Sequence, residues 1–125
     1  MSIRIFLLLG ILFLSGCVSS NKKPSIPLND GEYSFEHKYA EAEQSKIKSI
    51  NVIVKLKGNH ITVINRDRYD VFSKGVLEDG ELIWHPKSRQ WIIGHTPSDR
   101  ELDDVGGCTD GPTVIDLINR IYWTC

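Results

Sequence analysis

The side chains that could let this 125-residue chain do chemistry are four histidines (His37, His60, His85 and His95), a group of aspartates in the last third, and Ser88. No two of the histidines stand in an HxH or HExxH arrangement, so a zinc site would have to be assembled entirely by the fold. His85 and His95 flank one predicted hairpin, which could bring them near each other, and such histidines are commonly plain surface residues. Asp99, Asp103, Asp104 and Asp110 surround a glycine-rich stretch. The ligand order of a calcium loop is absent, and helix capping and turn formation account for these acids. Nucleophilic catalysis requires a base beside a nucleophile and a third group to orient it. Ser88 has His85 near it in sequence, but there is no nucleophile elbow and no glycine-rich oxyanion loop. Nothing supports Asp110 and Asp116 as paired carboxylates, and no phosphate-cradling loop is present. The expectation is a non-enzymatic domain with neither metal nor cofactor.

Two segments stand out once catalysis is set aside. Val105-Gly-Gly-Cys-Thr-Asp-Gly-Pro112 packs three glycines and a proline around a cysteine, which specifies a tight backbone path. Trp84, His85 and Trp91, with Asp110 from that stiff stretch, form a candidate binding face, since an exposed aromatic pair beside a rigid loop suits a protein, glycan or lipid partner. The sequence leaves open whether those indoles face inward or outward.

The N-terminus carries the most specific signal. Met1-Ser2-Ile3-Arg4 is a short cationic start, and Ile5 to Leu14 is apolar except for Gly10. That run is about half of the roughly 20 residues a membrane-spanning helix needs, and it has the proportions of a signal-peptide core. It ends in Leu14-Ser15-Gly16-Cys17, which resembles the lipobox of bacterial lipoproteins: an aliphatic residue, two small residues, then cysteine. The resemblance covers residues 1–17 only. It implies cleavage before Cys17, a diacylglyceryl group on that thiol, and acylation of the new amine. Two or more acyl chains give stable anchoring where one gives marginal binding. Val18, in place of the aspartate that marks inner-membrane retention in enterobacterial lipoproteins, implies the outer membrane facing the periplasm.

With Cys17 committed to lipid, Cys108 and Cys125 remain as an even pair in an oxidising compartment. A bridge between them closes a loop of about 18 residues, worth roughly 3 kcal/mol on the chain-entropy account. Their spacing fits neither a CxxC redox motif nor a metal site. The whole chain has 15 basic and 16 acidic side chains, and loss of Arg4 with the signal leaves 14 and 16. So balanced a total gives no electrostatic reason to expect nucleic acid or an anionic membrane surface as a partner.

These features set the domain plan: a signal peptide at 1–16, the lipidated cysteine and a flexible tether at 17–30, and one globular domain at 31–125. The tether reads from composition, with two prolines, small polar residues and no periodicity. Lys22 and Lys23 in it are either solvated or set against anionic headgroups. Within the domain, Tyr33, Phe35, His37 and Tyr39 alternate with polar residues as in a half-buried strand. Residues 40–48 read as a loop or weak helical turn. Ile50 to Leu56 is the clearest strand, and Gly58-Asn59 supplies a type II′ turn to a return strand over Ile61 to Asn65. Val71 to Leu77, a type I′ turn at Asp79-Gly80, and Glu81 to His85 read as a second hairpin, with Leu77 opposite Leu82 and Gly75 beneath Trp84. A turn at 86–89 leads to a sixth strand ending at His95. Ser98 with Glu101 resembles a capping box for a short helix ending at Gly106-Gly107. In residues 112–125, Val114, Leu117, Ile118, Ile121 and Tyr122 share a helical face, against a β-branched content that favours a strand; the helix is the expectation.

The fold expected is therefore mainly β (α+β), an antiparallel meander of about six strands with one or two short C-terminal helices. Its edges are protected either by curling toward a small barrel or by the C-terminal segment. The function expected is a cell-envelope lipoprotein whose domain binds an envelope protein or peptidoglycan, or supports structure. Inhibition of a wall-degrading enzyme belongs to that class, and carriage of a small apolar ligand inside a curled sheet is the alternative.

Overall fold

A computed structural model describes residues 22–40, 50–67 and 73–125. The signal peptide, Cys17 and the first two residues of the strand expected over Val71 to Leu77 lie outside those residues, as do 41–48, most of the expected first loop. The domain is mainly β: one sheet of seven strands, β1 (Gly31–Tyr39), β2 (Ile50–Lys57), β3 (His60–Asn65), β4 (Gly75–His85), β5 (Gln90–Gly94), β6 (Thr113–Asp116) and β7 (Ile121–Thr124). Each strand pairs antiparallel with the next. The last then runs parallel to the first, with Glu36 opposite Ile121 and Tyr39 opposite Thr124. Backbone bonds from Glu36 N to Arg120 O (3.0 Å) and from Ala40 N to Thr124 O (2.8 Å) join the two. The meander thus closes into a ring, and its edge problem is met by pairing the two edges with each other.

Alternation fills the inside of the ring. Phe35, Val52, Val54, Ile61 and Val63 are fully buried there, joined by Leu82, Trp91, Ile93, Ile115 and Tyr122. A closed sheet of this size has an interior that side chains can fill, and these residues form one buried cluster there. Burying one such aliphatic side chain contributes roughly 1.5–3 kcal/mol.

The β2–β3 turn forms as its residues dictate. Lys57 faces His60 across Gly58-Asn59, and Gly58 takes φ +59° while Asn59 stays out of the left-handed region. The Asp79-Gly80 turn does not form. β4 runs straight through it for 11 residues, with Asp79 opposite Thr62 and Gly80 opposite Ile61. A Cβ on Gly80 would stand 2.6 Å from the carbonyl oxygen of Gly94. The glycine is there to let β4 pass close to β5 as it changes partners from β3, not to turn the chain. Gly75 accordingly pairs with Asn65, not Trp84, and Leu82 pairs with Ile93, not Leu77.

The C-terminal helices are likewise absent. Asp116 breaks the expected helix over 112–125: its Oδ1 accepts the amides of Ile118 (3.0 Å) and Asn119 (2.9 Å), and Arg120 follows at φ +56°. A carboxylate that captures amides two and three residues on builds a turn in place of a helix, and the β-branched residues on either side become β6 and β7. The helix expected from Ser98 is a short 3-10 turn, Pro97–Glu101, preceded by Thr96 and ending at Leu102. Its acid is Asp99, which accepts the amides of His95 (2.8 Å) and Thr96 (3.2 Å) and the Thr96 hydroxyl (3.1 Å). Those three donors, the His95 amide foremost, hold the Asp99 carboxyl below its ordinary pKa.

The segment 95–112 then lies on the outer face of the sheet. β5 is buried on both sides, Ile93 facing the core and Ile92 facing out under this cover. Gly106, at φ +67°, comes so close to Val114 that a Cβ there would meet Val114 Cγ2 at 2.6 Å. Gly106 N bonds Pro112 O (2.7 Å), and Thr109 ties back to Gly106 through both its amide and its hydroxyl. Cys108 is joined to Cys125 by a disulfide across 17 residues, with Cα atoms 4.7 Å apart, as the cysteine count led us to expect.

Candidate functional site

Trp84 and Trp91 are direct cross-strand partners on β4 and β5. Their ring centroids are 5.4 Å apart and edge-to-face, the arrangement that aligns one ring's positive edge with the other's negative face. Trp91 is 7% exposed and belongs to the core, whereas Trp84 is half-buried at its rim. The pair sits at the end of the ring where the 86–89 and 117–120 turns project.

His85 and Asp110 do not join them. Neighbouring residues on a strand point to opposite faces, and His85 lies under the outer cover, fully buried. The amide of Ser88 donates to its Nδ1 (3.2 Å), which makes Nδ1 the acceptor and Nε2–H the donor to the carbonyl oxygen of Leu102 (2.6 Å). The Ser88 hydroxyl, 2.6 Å from Nδ1, adds a second bond. This arrangement ties the β4–β5 hairpin to the loop after the 3-10 turn. Lys87 reinforces it by pairing with Asp103 and holds that carboxyl below its ordinary pKa. Asp110 is exposed on the far part of the same cover, beside Asp103, Asp104 and Cys108. His95, opposite the other end of the hairpin from His85, does not approach it: His85 pairs with Gln90, while Gly94 pairs with Glu81. Among the described residues no group of three potential metal ligands occurs.

The N-terminal segment supplies what the sequence reading missed. Residues 22–30 have no regular structure, yet Ile26 and Leu28, in the stretch expected to be a tether, pack on the core cluster. Pro24, Ser25 and Pro27 form one wall of a cavity of about 320 Å³, whose other walls include Trp84, Arg89, Trp91, Leu117, Ile118 and Trp123. On the other side of Trp84 a second cavity, of about 300 Å³, is bounded by Lys23, Leu82, His95 and Arg100. Lys23 stands 5.9 Å from the Trp91 ring centre. The available signal was the isolated apolar residues Ile26 and Leu28 between prolines, too sparse for any periodicity to show.

The opposite end of the ring holds buried polar groups. His37, 1% exposed, has Nε2 2.6 Å from the Thr124 hydroxyl and packs edge-on to Tyr39. Tyr122 donates to Glu78 Oε2 at 2.7 Å from within the core. Burial pushes the His37 imidazole below its usual pKa, and burial with the adjacent Glu78 carboxylate pushes the Tyr122 phenol up. Alternation along β1 had put His37 on the face of Phe35, but its cross-ring partners are non-local and could not be read.

Compared with known proteins, the chain matches no family model, no curated protein and no solved structure. Its own residues are what a function must rest on. Among the described residues no helix is long and apolar enough to cross a membrane.

Proposed function

We propose that this chain is a cell-envelope lipoprotein, anchored by lipid on Cys17 to the outer membrane facing the periplasm, whose β domain is a non-enzymatic binding or structural module. The observation that carries the reading is Leu14-Ser15-Gly16-Cys17 at the end of a signal-like apolar run. An even pair of remaining cysteines agrees with an oxidising compartment. Against catalysis, the Ser88–His85 contact has its serine amide bonded back to the histidine, so that amide is not free to stabilise an oxyanion. An envelope protein or peptidoglycan is the partner class, and inhibition of a wall-degrading enzyme falls within it. Weighing against carriage of an apolar ligand inside the sheet is the packing of Phe35, Ile61, Val63 and Leu82 in one buried cluster. As a second reading it rests on the rim cavities, whose volumes of about 320 and 300 Å³ are at the small end for ligand sites.

The test is Cys17→Ser in the native host. The variant is expected to stay uncleaved by the lipoprotein peptidase and to lose acylation; normal processing and lipid attachment would refute the assignment.

A further inference from the structure

All three tryptophans of the chain, Trp84, Trp91 and Trp123, line a single groove at one end of the ring. The tips around that groove carry two unusual residues. Arg89 in the β4–β5 turn has φ +54° and Arg120 in the β6–β7 turn has φ +56°, the only non-glycine residues in the left-handed region among those described. Glycine adopts that conformation without a steric penalty, so an arginine at each tip carries a local cost; the Arg120 guanidinium lies 5.1 Å over the Tyr33 ring, and Arg89 lines the groove. Beside them Ile118 is 80% exposed, the most exposed large apolar residue described. Lys22 and Lys23 are exposed at the same end, and Asp116 is the acid lining the groove, its oxygens already holding the turn. The near-neutral total charge conceals a local cationic excess.

Chain length says what this end faces. Cys17 precedes Lys23 by six residues, which reach at most about 22 Å fully extended. A domain of about 100 residues is roughly 30 Å across. Lys23 stands over Trp91, so an anchor at Cys17 holds the tryptophan end near the bilayer, and the end carrying His37 cannot replace it there.

We propose that this rim lies against the membrane that anchors the chain, with Arg89, Arg120, Lys22 and Lys23 on anionic phospholipid headgroups and Ile118 inserted between them. The proposal rests on the lipid-anchor reading and deepens it. The planar guanidinium fork of arginine can bond two phosphate oxygens at once, and tryptophan concentrates at the level of the headgroups. The outer cover and the opposite end of the ring are left free for a soluble partner.

The mature lipidated chain is reconstituted into vesicles of phosphatidylethanolamine and phosphatidylglycerol, with bromine on the acyl chains near the headgroups. Intact mass is taken first. Lipid bromine is expected to quench tryptophan emission, and acrylamide quenching to fall about twofold or more relative to detergent, as for rings at headgroup level. The double variant Arg89→Gly, Ile118→Asp is expected to lose the bromine quenching while keeping its melting temperature, since glycine is at ease at position 89. A lipidated chain that bromine does not quench overturns this proposal alone, as does a variant quenched like the parent. Acrylamide protection that grows with protein density without bromine quenching also overturns it, by placing a second copy on the groove. A bare Cys17 overturns both readings.

Discussion

The two ends of the ring are built on different principles. At one end His37, Tyr39, Tyr122 and Asn65 are buried, the disulfide ties Cys125 to the outer cover, and Ala40 is bonded to Thr124. At the other, Trp84 is half open, Ile118 stands in solvent, two arginines hold left-handed turns, and the N-terminal segment lies across the opening. The first end closes the sheet; His37 with Thr124 and Tyr122 with Glu78 bridge strands distant in sequence there. Among the described residues the second is covered only by the irregular N-terminal segment, with Ile26 and Leu28 on the core, and leaves Ile118, Arg89 and Arg120 exposed on short turns. On the proposed membrane contact, exposed Ile118 and left-handed Arg89 serve what that surface meets, whereas the buried end holds β1 to β7.

This contrast sets the size and sign of substitutions. Reducing Cys108–Cys125 should have the largest effect. On the loop-entropy account it removes roughly 3 kcal/mol, which for a domain of this size lowers the melting temperature by on the order of 10 °C. Calorimetry with and without reductant reads it, and an unchanged transition would show that the closed end does not depend on the bridge. Tyr122→Phe comes next. It strips Glu78 of its core donor while leaving the ring in place, at about 1–2 kcal/mol, measurable by urea unfolding; a neutral result would mean Glu78 is satisfied by water.

The smallest effect concerns pH. His37 has its pKa lowered by burial, so the unfolded chain binds more protons than the folded one once pH drops below the ordinary histidine value of about 6.5. Stability contributed by neutral His37 is therefore full above that pH and declines as acid is added toward the lowered folded value. Glu32, held low first by its bond from Lys55, and Asp103, held low by Lys87, add their losses only further down, beginning near pH 4. Melting temperatures of the parent and His37→Gln should diverge between pH 7 and 5, the parent falling more; parallel curves would remove His37 from the account.

Much of the sheet was legible because its determinants are local. Alternation placed β1, β2 and β3, and Gly58-Asn59 declared its turn, since positive φ at a two-residue link asks for glycine. The same rule misled at Asp79-Gly80, where glycine serves a neighbour 14 residues away: without a Cβ, position 80 accommodates the carbonyl of Gly94. The C-terminal pair of strands was hidden for a related reason. Two four-residue strands around a tight turn repeat Val114, Leu117, Ile118, Ile121 and Tyr122 at spacings a helix would share, and only Asp116 distinguishes them. The parallel pairing of β7 with β1 joins residues over 80 positions apart and leaves no local trace. Of the proposed face, the turn at 86–89 foretold that Trp84 and Trp91 would lie near each other. That His85 turns to the opposite side from Trp84 follows from alternation along β4.

Intact-mass analysis of the protein purified from membranes of its native host tests the central claim most directly. The account predicts a chain beginning at Cys17, heavier than its residues by a diacylglyceryl group and an amide-linked acyl chain, and lighter by the two hydrogens of one disulfide. A chain that keeps residues 1–16, or one that begins at residue 17 with an unmodified thiol, would contradict it.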